Sequence, residues 1–316
     1  ISYNAIRRMS TDLRQTDSWA KYLGGQGWGV EELKVQGSNF KVKAYIIKIP
    51  WVGSVVKIQR PDELPPQEEI DRIAKKHHAL FVKIEPLYPI PYTLYPSFEL
   101  DPNPNLLTKT IAVDLAPGER ILWKNLAPDA RQSVRKARRQ KLRVESCRLG
   151  DPEFGEKLRK FQLLLAETGK RQHFGASSHS QLQAKVDAFG KDAILFLVFP
   201  PSNRQDPLAG ALLFLSGETA FYHHTASSKA GKKLFASYLL MWEIFKELRD
   251  KRPEILYLEF EGITDPRFPQ TKRWERFTVF KRKWGGREIE FPPPLIKHYH
   301  PLVKALFRLS QKIAVV

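Results

Sequence analysis

Apolar positions along this chain switch between two periods, and the switches mark its elements. In the first half, "DSWAKYLGGQGWGVEEL" (17–33) predicts a helix ended by Gly24-Gly25 and then a strand. Alternating residues predict strands at "FKVKAYIIKI" (40–49) and "GSVVKI" (53–58), followed by a helix over "QEEIDRIAKKHHA" (67–79) and a strand at "LFVKIEP" (80–86). A Pro-rich stretch from 86 to 104, too stiff for a helix, reads as a functional loop or an ordered crossing segment. "TKTIAVDL" (108–115) reads as a further strand, and a basic helix over 128–141 leads into the second half.

The second half predicts a strand at "LRVESC", then a helix over "DPEFGEKLRKFQLLLAETGKRQ" with Asp151 as N-cap, Pro152 at N1 and an apolar stripe of Phe154, Leu158, Phe161 and Leu165. "SSHSQLQAKVDAFG" is a second capped helix, and "AILFLVF", "LAGALLFL" and "TAFYHHTA" are three strands. The helix "KLFASYLLMWEIFKELRDK" places Leu234, Tyr238, Met241, Phe245 and Leu248 on one inner face. The strand "ILYLEF", a short basic helix within "RWERFTVFKRKWGG" (273–286) and a strand "REIEF" complete the order. Strand, two helices, three antiparallel strands, helix, strand, helix, strand is the order of GNAT-type acyltransferases. The predicted class is α/β (α+β), with one unit over 1–142 joined by 290–316 and a second over 143–289.

Charge narrows the partners. Lys and Arg number 52 against 34 Asp and Glu, a formal +18, which favours encounter with polyanions such as nucleic acid, an anionic membrane surface or a phosphorylated substrate. Residues 131–143 carry seven basic side chains and no acid. On a helix Arg131, Arg135, Arg138 and Arg139 share one face, a solvated surface or a phosphate contact. A single cysteine, Cys147, excludes an internal disulfide and a cysteine-based zinc site. No cofactor or metal is expected. Apolar runs fall short of a spanning helix and the N-terminus has no signal-like core, so a cytoplasmic, monomeric protein is expected.

In coenzyme A-dependent enzymes of this order, a Gly-rich loop before the third helix cradles pyrophosphate. Here that stretch is "SSKAGKKLFA" (227–236), with Gly231 alone and Lys229, Lys232 and Lys233 beside it. The missing glycines argue for a different anionic acyl donor.

Several segments together resemble the FemABX family, the aminoacyl-tRNA-dependent transferases that build peptidoglycan cross-bridges. They are "DSWAKYLGGQGW", "LFVKIEP", "IAVDL" followed by "LWKNLAPDARQSVRKARRQKLRVE", "LLLAETGKRQHFG", "SYLLMWEIFKELRD" and "VFKRKWGG", in the family's order over nearly the whole chain. The resemblance implies two GNAT-like domains. It also implies transfer of an amino acid from aminoacyl-tRNA to an amine of a UDP-linked or lipid-linked peptidoglycan precursor. It makes Lys281 the electrophilic group at the developing oxyanion, with Phe280 beside the donor's terminal adenosine or supporting the lysine. Arg171 matches an arginine beside the substrate groove; Lys272, Arg273 and Lys283 join the 131–143 cluster as tRNA contacts. For the acceptor, Glu261 is a candidate proton acceptor, and Tyr92 and Tyr95 of the Pro-rich stretch are candidate stacking partners for sugar or uracil faces. Ser177 and Leu182 stand where relatives carry an arginine and a tyrosine, which leaves the acceptor open.

Other groups rank lower. His223 and His224, adjacent on a strand, are expected to face opposite sides, which would bar joint metal ligation. His77 and His78 close a helix, and Glu259 and Glu261 are expected to point the same way. The C-terminal "PLVKALFRLSQKIAVV" is basic with one apolar face; docking on the first domain is the favoured reading and peripheral contact with a membrane the alternative. Two other functions fit the same features: an acyl-CoA-dependent N-acyltransferase and a non-catalytic tRNA-binding protein.

Overall fold

The structure, a computed structural model, describes residues 12–35, 37, 40–201 and 206–313; the side chains of Tyr92 and of residues 308–313 lie outside that description. Along the chain run α1 (Asp17–Gly25), β1 (Gly29–Lys34), β2 (Lys41–Ile49), β3 (Gly53–Gln59), α2 (Gln67–Lys76), β4 (Ala79–Glu85) and the two-residue β5 (Glu99–Leu100). They are followed by β6 (Lys109–Asp114), α3 (Glu119–Asn125), α4 (Pro128–Arg139), β7 (Arg143–Arg148), α5 (Phe154–Gln172) and α6 (His179–Phe189). The chain goes on through β8 (Ala193–Phe199), β9 (Ala209–Ser216), β10 (Thr219–Ser227), α7 (Lys229–Lys233), α8 (Ala236–Lys251) and β11 (Tyr257–Glu259). Last come α9 (Glu275–Arg282), β12 (Arg287–Glu290), β13 (Leu295–His298) and α10 (Pro301–Ile313). No helix among the described residues is long and apolar enough to cross a membrane.

The described residues divide into two compact units, one over 14–108 and 290–313, the other over 109–289 with residues 12 and 13. The division after Thr108 corrects the boundary expected at 142. The reason is strand pairing: β6 lies antiparallel to β11, with Leu258 opposite Val113, so 109–142 belongs to the later sheet.

In the first unit the sheet order is β1-β2-β3-β4-β13-β5. β3 and β4 are parallel, bridged by α2, and the chain returns late to insert β13 antiparallel to β4. The core includes Leu33, Ile46, Val56, Ile58, Ile70, Ile73, Val82 and Ile84. The Pro-rich stretch is an ordered crossing segment. Glu85 accepts the backbone N–H groups of Asn105 (2.7 Å) and Leu106 (2.6 Å), and Lys83 pairs with Asp101 at 2.8 Å in the interior. Tyr95 is buried, and its hydroxyl donates to the Pro65 carbonyl at 2.5 Å. It is therefore core rather than a stacking surface. Tyr92 begins a short 3-10 turn, and its side chain lies outside the described residues.

In the second unit the order is β12-β6-β11-β10-β9-β8-β7. β8 and β9 are buried along their whole length, as strands covered on both faces must be. α5 and α8 contribute Phe161, Leu165, Met241, Trp242, Phe245 and Leu248 to the interior. Two expected helix starts shift. Asp151 caps no helix: its carboxylate accepts the Arg148 N–H at 2.7 Å in a turn, and α5 begins at Phe154. The single helix expected from Lys233 breaks at Phe235, which adopts a left-handed φ of 58°, separating α7 from α8.

Gly285-Gly286 does more than end α9. Gly285 takes φ +78° against Asn125, and a Cβ on Gly286 would lie 2.5 Å from Ile111 Cγ2 and 2.7 Å from the Ala112 carbonyl oxygen. Only glycine lets the chain pass this close to β6 on its way into β12. Gly286→Ala is expected to destabilise the fold by about 2–3 kcal/mol, the upper range for overpacking, read as a lowered denaturation midpoint in urea.

Candidate functional site

β10 is hydrogen-bonded to β9 along its length, but its parallel pairing with β11 covers only Thr219–Phe221 against Tyr257–Glu259. Beyond Phe221 the two strands part. A cavity of about 790 Å³ lies here, lined by Tyr222, Thr225, Ala226 and Ser227 of β10, by α5, by α7 and α8, and by α9 with its preceding turn.

Five cationic side chains line it, Arg171, Lys232, Arg273, Arg276 and Lys281, and no carboxylate does. Arg171 is held by Glu167 (3.1 Å) and by the Ser227 carbonyl (2.6 Å), while its Nε is buried without a partner among the described residues. Burial, with the charges of Arg171 and Arg276, lowers the Lys232 ammonium from its ordinary range. Like charges gathered on a lining that holds no carboxylate make a site for an anion. Aromatic side chains complete the wall: Tyr222, Phe235, Tyr238, Phe277 and Phe280.

Lys281 sits on α9 with its Nζ donating to the Gly262 carbonyl at 2.6 Å. Burial pushes its ammonium down to about 8, against the pull of Glu259 and Glu261, which raise it. Phe280 packs edge-on to Tyr238 (5.2 Å) and Trp284 (5.7 Å), so it steadies α9 while one side meets the cavity. Gly231 is needed for packing: a Cβ there would fall 2.0 Å from the Leu208 carbonyl oxygen. Its N–H donates to the Ser228 hydroxyl at 2.9 Å.

Behind the cavity wall lies a buried polar cluster that corrects the histidine reading. The β10–β9 register slips between Tyr222 and His224, a β-bulge that inserts one residue and breaks alternation. Both imidazoles consequently reach the same group: Lys185 Nζ lies 3.0 Å from Nε2 of His223 and 3.0 Å from Nε2 of His224. His223 Nδ1 lies 2.9 Å from a carboxylate oxygen of Glu261. An ammonium only donates, so both rings accept at Nε2 and carry their proton on Nδ1. His223 therefore donates to Glu261. Glu261, past the end of β11 at φ 60°, does not share an orientation with Glu259. Glu259 is buried, where it accepts the Thr110 hydroxyl and the Glu261 N–H (2.8 Å). Glu261 is thus tied to the histidine cluster, outside the cavity lining. Sequence reasoning missed Lys185, Arg276, Tyr238 and Phe277 as a group; the basic, aromatic composition of 272–284 hinted at Arg276 and Phe277, and Tyr238 was expected on the inner face of its helix.

The basic positions of 131–143 and 272–283 separate by role. Arg131 caps α3, donating to the carbonyls of Lys124 (2.8 Å) and Leu126 (2.9 Å), so it is structural rather than a nucleic-acid contact. Lys283 is pinned to Asp129 (2.5 Å), which ties α9 to the start of α4. Arg135 is exposed over the Trp123 ring, and Arg138 pairs with Glu243 at 3.2 Å. Arg139 and Lys272 are exposed. Of the seven residues expected as tRNA contacts, Arg131, Arg135, Arg138, Arg139, Lys272, Arg273 and Lys283, only Arg273 lines the cavity. Leu182, fully buried in α6, is core and offers no grip on an acceptor.

Burial holds His224 neutral, its imidazole well below the ordinary range, with His223 and Lys185 adding to the shift and Glu261 opposing it. A depressed histidine contributes stability that is complete above about pH 6.5 and lost as pH falls below it, because the unfolded chain takes up the proton first. Stability should therefore decline on acidification below about pH 6.5, by up to about 1.4 kcal/mol per unit from this group. His224→Gln should flatten that decline in urea titrations run from neutral to mildly acid pH; an unaltered slope would clear His224 of the effect.

No protein-family model and no curated protein sequence matches the chain. Solved structures do. FemX aligns with a TM-score of 0.77 at 18% identity, over 97% of this chain and 97% of that one. L-PGS from Bacillus licheniformis gives 0.56 at 11%, over 96% and 97%. A tandem GNAT protein from the clavulanic acid biosynthesis pathway gives 0.51 at 9%, over 85% and 86%. The chain thus has the FemX fold, a mixed α/β fold of two GNAT-like units in tandem, which agrees with the FemABX resemblance of the sequence.

Proposed function

We infer that this protein is an acyltransferase that moves an amino acid from aminoacyl-tRNA to an amine of a peptidoglycan precursor, in interpeptide bridge formation. The observation that carries the reading is the cavity at the parting of β10 and β11, whose lining holds Lys281 with four other cations and no carboxylate. A tRNA 3′ end brings phosphates and a flat base, and the lining offers cations beside aromatic rings. Arg171, Lys232, Arg273 and Arg276 take the phosphates; Tyr238 and Phe277 offer surfaces to the base. Exposed Arg135, Arg139 and Lys272 extend the anion contact along the tRNA body.

An aminoacyl ester is already activated, so no covalent nucleophile is needed. The acceptor nitrogen attacks the ester carbonyl, a C–N bond forms as the C–O bond breaks, and the ribose hydroxyl leaves with a proton. The charged Lys281 ammonium stabilises the oxygen as it becomes anionic, in a site where water screens little. Lys281→Met should lower turnover by about two to three powers of ten while near-UV circular dichroism stays unchanged; turnover within about threefold of wild type would remove Lys281 from the chemistry. Lys281 is charged below about pH 8 and neutral above it. Its contribution is therefore present at lower pH and lost as pH rises through that value, giving a descending limb in the rate profile that Lys281→Met abolishes.

The fold also suits acyl-CoA-dependent N-acyl transfer, and a non-catalytic tRNA-binding role fits the charge. The constrained packing of Gly231 speaks against a pyrophosphate loop. Coenzyme A should bind worse than about 1 mM by calorimetry, where a competent site gives micromolar affinity. Incubation with a mixed pool of charged tRNAs and precursor, with mass spectrometry of the product, tests the main reading. Acetyl transfer with micromolar coenzyme A binding would replace it. Salt-sensitive RNA binding without transfer would leave the silent binder.

A further inference from the structure

At one end of the first unit's sheet, the chain exposes apolar side chains that no folding argument requires. β2 and β3 are joined by a tight hairpin in which the Val52 N–H donates to the Ile49 carbonyl at 3.1 Å. Pro50 and Trp51 are its central residues, and Trp51 has φ 66°. Pro followed by a positive φ is a type II turn, whose third position normally belongs to glycine. The residue there is instead a tryptophan at 104% relative exposure, flanked by Val52 at 59% and Ile49 at 37%. A large aromatic is thus held outward at a position that disfavours any side chain.

Strand pairing brings two further segments to the same end. β4 starts beside this turn, with Ala79 opposite Ser54, so the end of α2 and its Lys75 and Lys76 lie there. β13 runs antiparallel to β4 and ends there too, with His298 opposite Phe81. It lies two strand spacings from β3, about 10 Å. α10 then starts at Pro301 and leaves Leu302 68% and Leu306 65% exposed, while Phe307 turns inward against His298 at 5.0 Å. The three segments 47–53, 74–80 and 298–307 contain Lys48, Lys75, Lys76, Lys304 and four histidines, and no acid. Lys76 pairs with Glu31 of β1 at 2.6 Å and Lys304 with Glu99 of β5, while Lys48 and Lys75 are exposed.

We propose that this edge of the first unit docks on an anionic lipid bilayer, the Trp51 turn and the Leu302–Leu306 face of α10 entering the interface and the lysines meeting the headgroups. The occupant follows from the chemistry. An indole with a wet rim and an apolar body suits the headgroup level. A basic amphipathic helix beside it adds apolar area and charge. A protein partner would be expected to offer acids to the lysines and a cavity to Trp51; a bilayer supplies both from lipid. The proposal is independent of the acyl-transfer reading.

The test is sedimentation of the full chain with phosphatidylcholine vesicles, with and without about one-third phosphatidylglycerol. Binding is expected only to the anionic vesicles and should weaken as salt rises. Trp51→Gly suits the backbone, so it keeps the fold, and should lower partitioning about tenfold. Leu302→Glu with Leu306→Glu, both at exposed positions, should do the same. Brominated lipid should quench wild-type fluorescence more than that of Trp51→Phe. Partitioning untouched by Trp51→Gly, or wild-type protein left in the supernatant with both vesicle types, overturns the proposal. So does RNA that displaces the vesicles and binds Trp51→Gly as tightly as wild type, which would assign the lysines to nucleic acid.

Discussion

β10 has two neighbours of unequal length, and the second unit's chemistry follows from that mismatch. β9 holds the strand from Thr219 to Ser227, whereas β11 holds it only to Phe221. Where β11 leaves, backbone that would be paired in a continuous sheet faces a cavity. The bulge falls at the same point, between Tyr222 and His224. An inserted residue turns consecutive side chains to one side, so His223 and His224 share Lys185 rather than straddling the sheet. Tyr222 is left on the cavity wall. One irregularity thus separates a cationic cavity from a buried polar cluster a few residues away.

The charges on the two sides of that wall differ in what balances them. Lys185 is surrounded by two imidazoles and reaches Glu261 through His223, a network closed within the protein. The cavity cations have no carboxylate among them. Two like charges about 6 Å apart cost close to 3 kcal/mol at an effective dielectric of about 20. Glu167 offsets part of that repulsion at Arg171, and a bound anion would relieve the rest. Glu259 and Glu261 act from behind on Lys281 alone, favouring its charged form against burial.

The element order was legible because it rests on local periodicity: the apolar runs of β8 and β9, the stripe of α8, and the capping box of α6, with Ser178 and Gln181 in reciprocal bonds. What could not be read depends on partners distant in the chain. "TAFYHHTA" reads as regular alternation, and only the register against β9 reveals the extra residue. "TKTIAVDL" looks like a strand of either half, and its assignment needed β11. The arginines of α4 look equivalent on a helical wheel. Yet Arg131 is spent on the carbonyl groups of α3 and Arg138 on Glu243, leaving Arg135 and Arg139 on the surface. Tyr95 carries a phenol that suits a binding loop, and only tertiary packing shows it bonded to Pro65 inside the core.

The basic segment before Gly285-Gly286 shows why three neighbouring basic residues cannot be interchanged. Arg282 is exposed and pairs with Glu288 at 2.6 Å, Lys283 fastens α9 to Asp129, and Lys281 alone turns toward the cavity. The close approach of Gly286 to β6, where a Cβ would meet Ile111 and Ala112, holds the chain just after α9 against the sheet. Lysine also suits position 281 better than arginine would. A guanidinium stays protonated at any working pH and spreads its charge over a planar fork. A buried ammonium with its value near 8 is a compact donor whose charge follows pH and the carboxylates behind it. In the proposed reaction, a single oxygen that gains charge would be matched by such a point donor, which here donates to the Gly262 carbonyl.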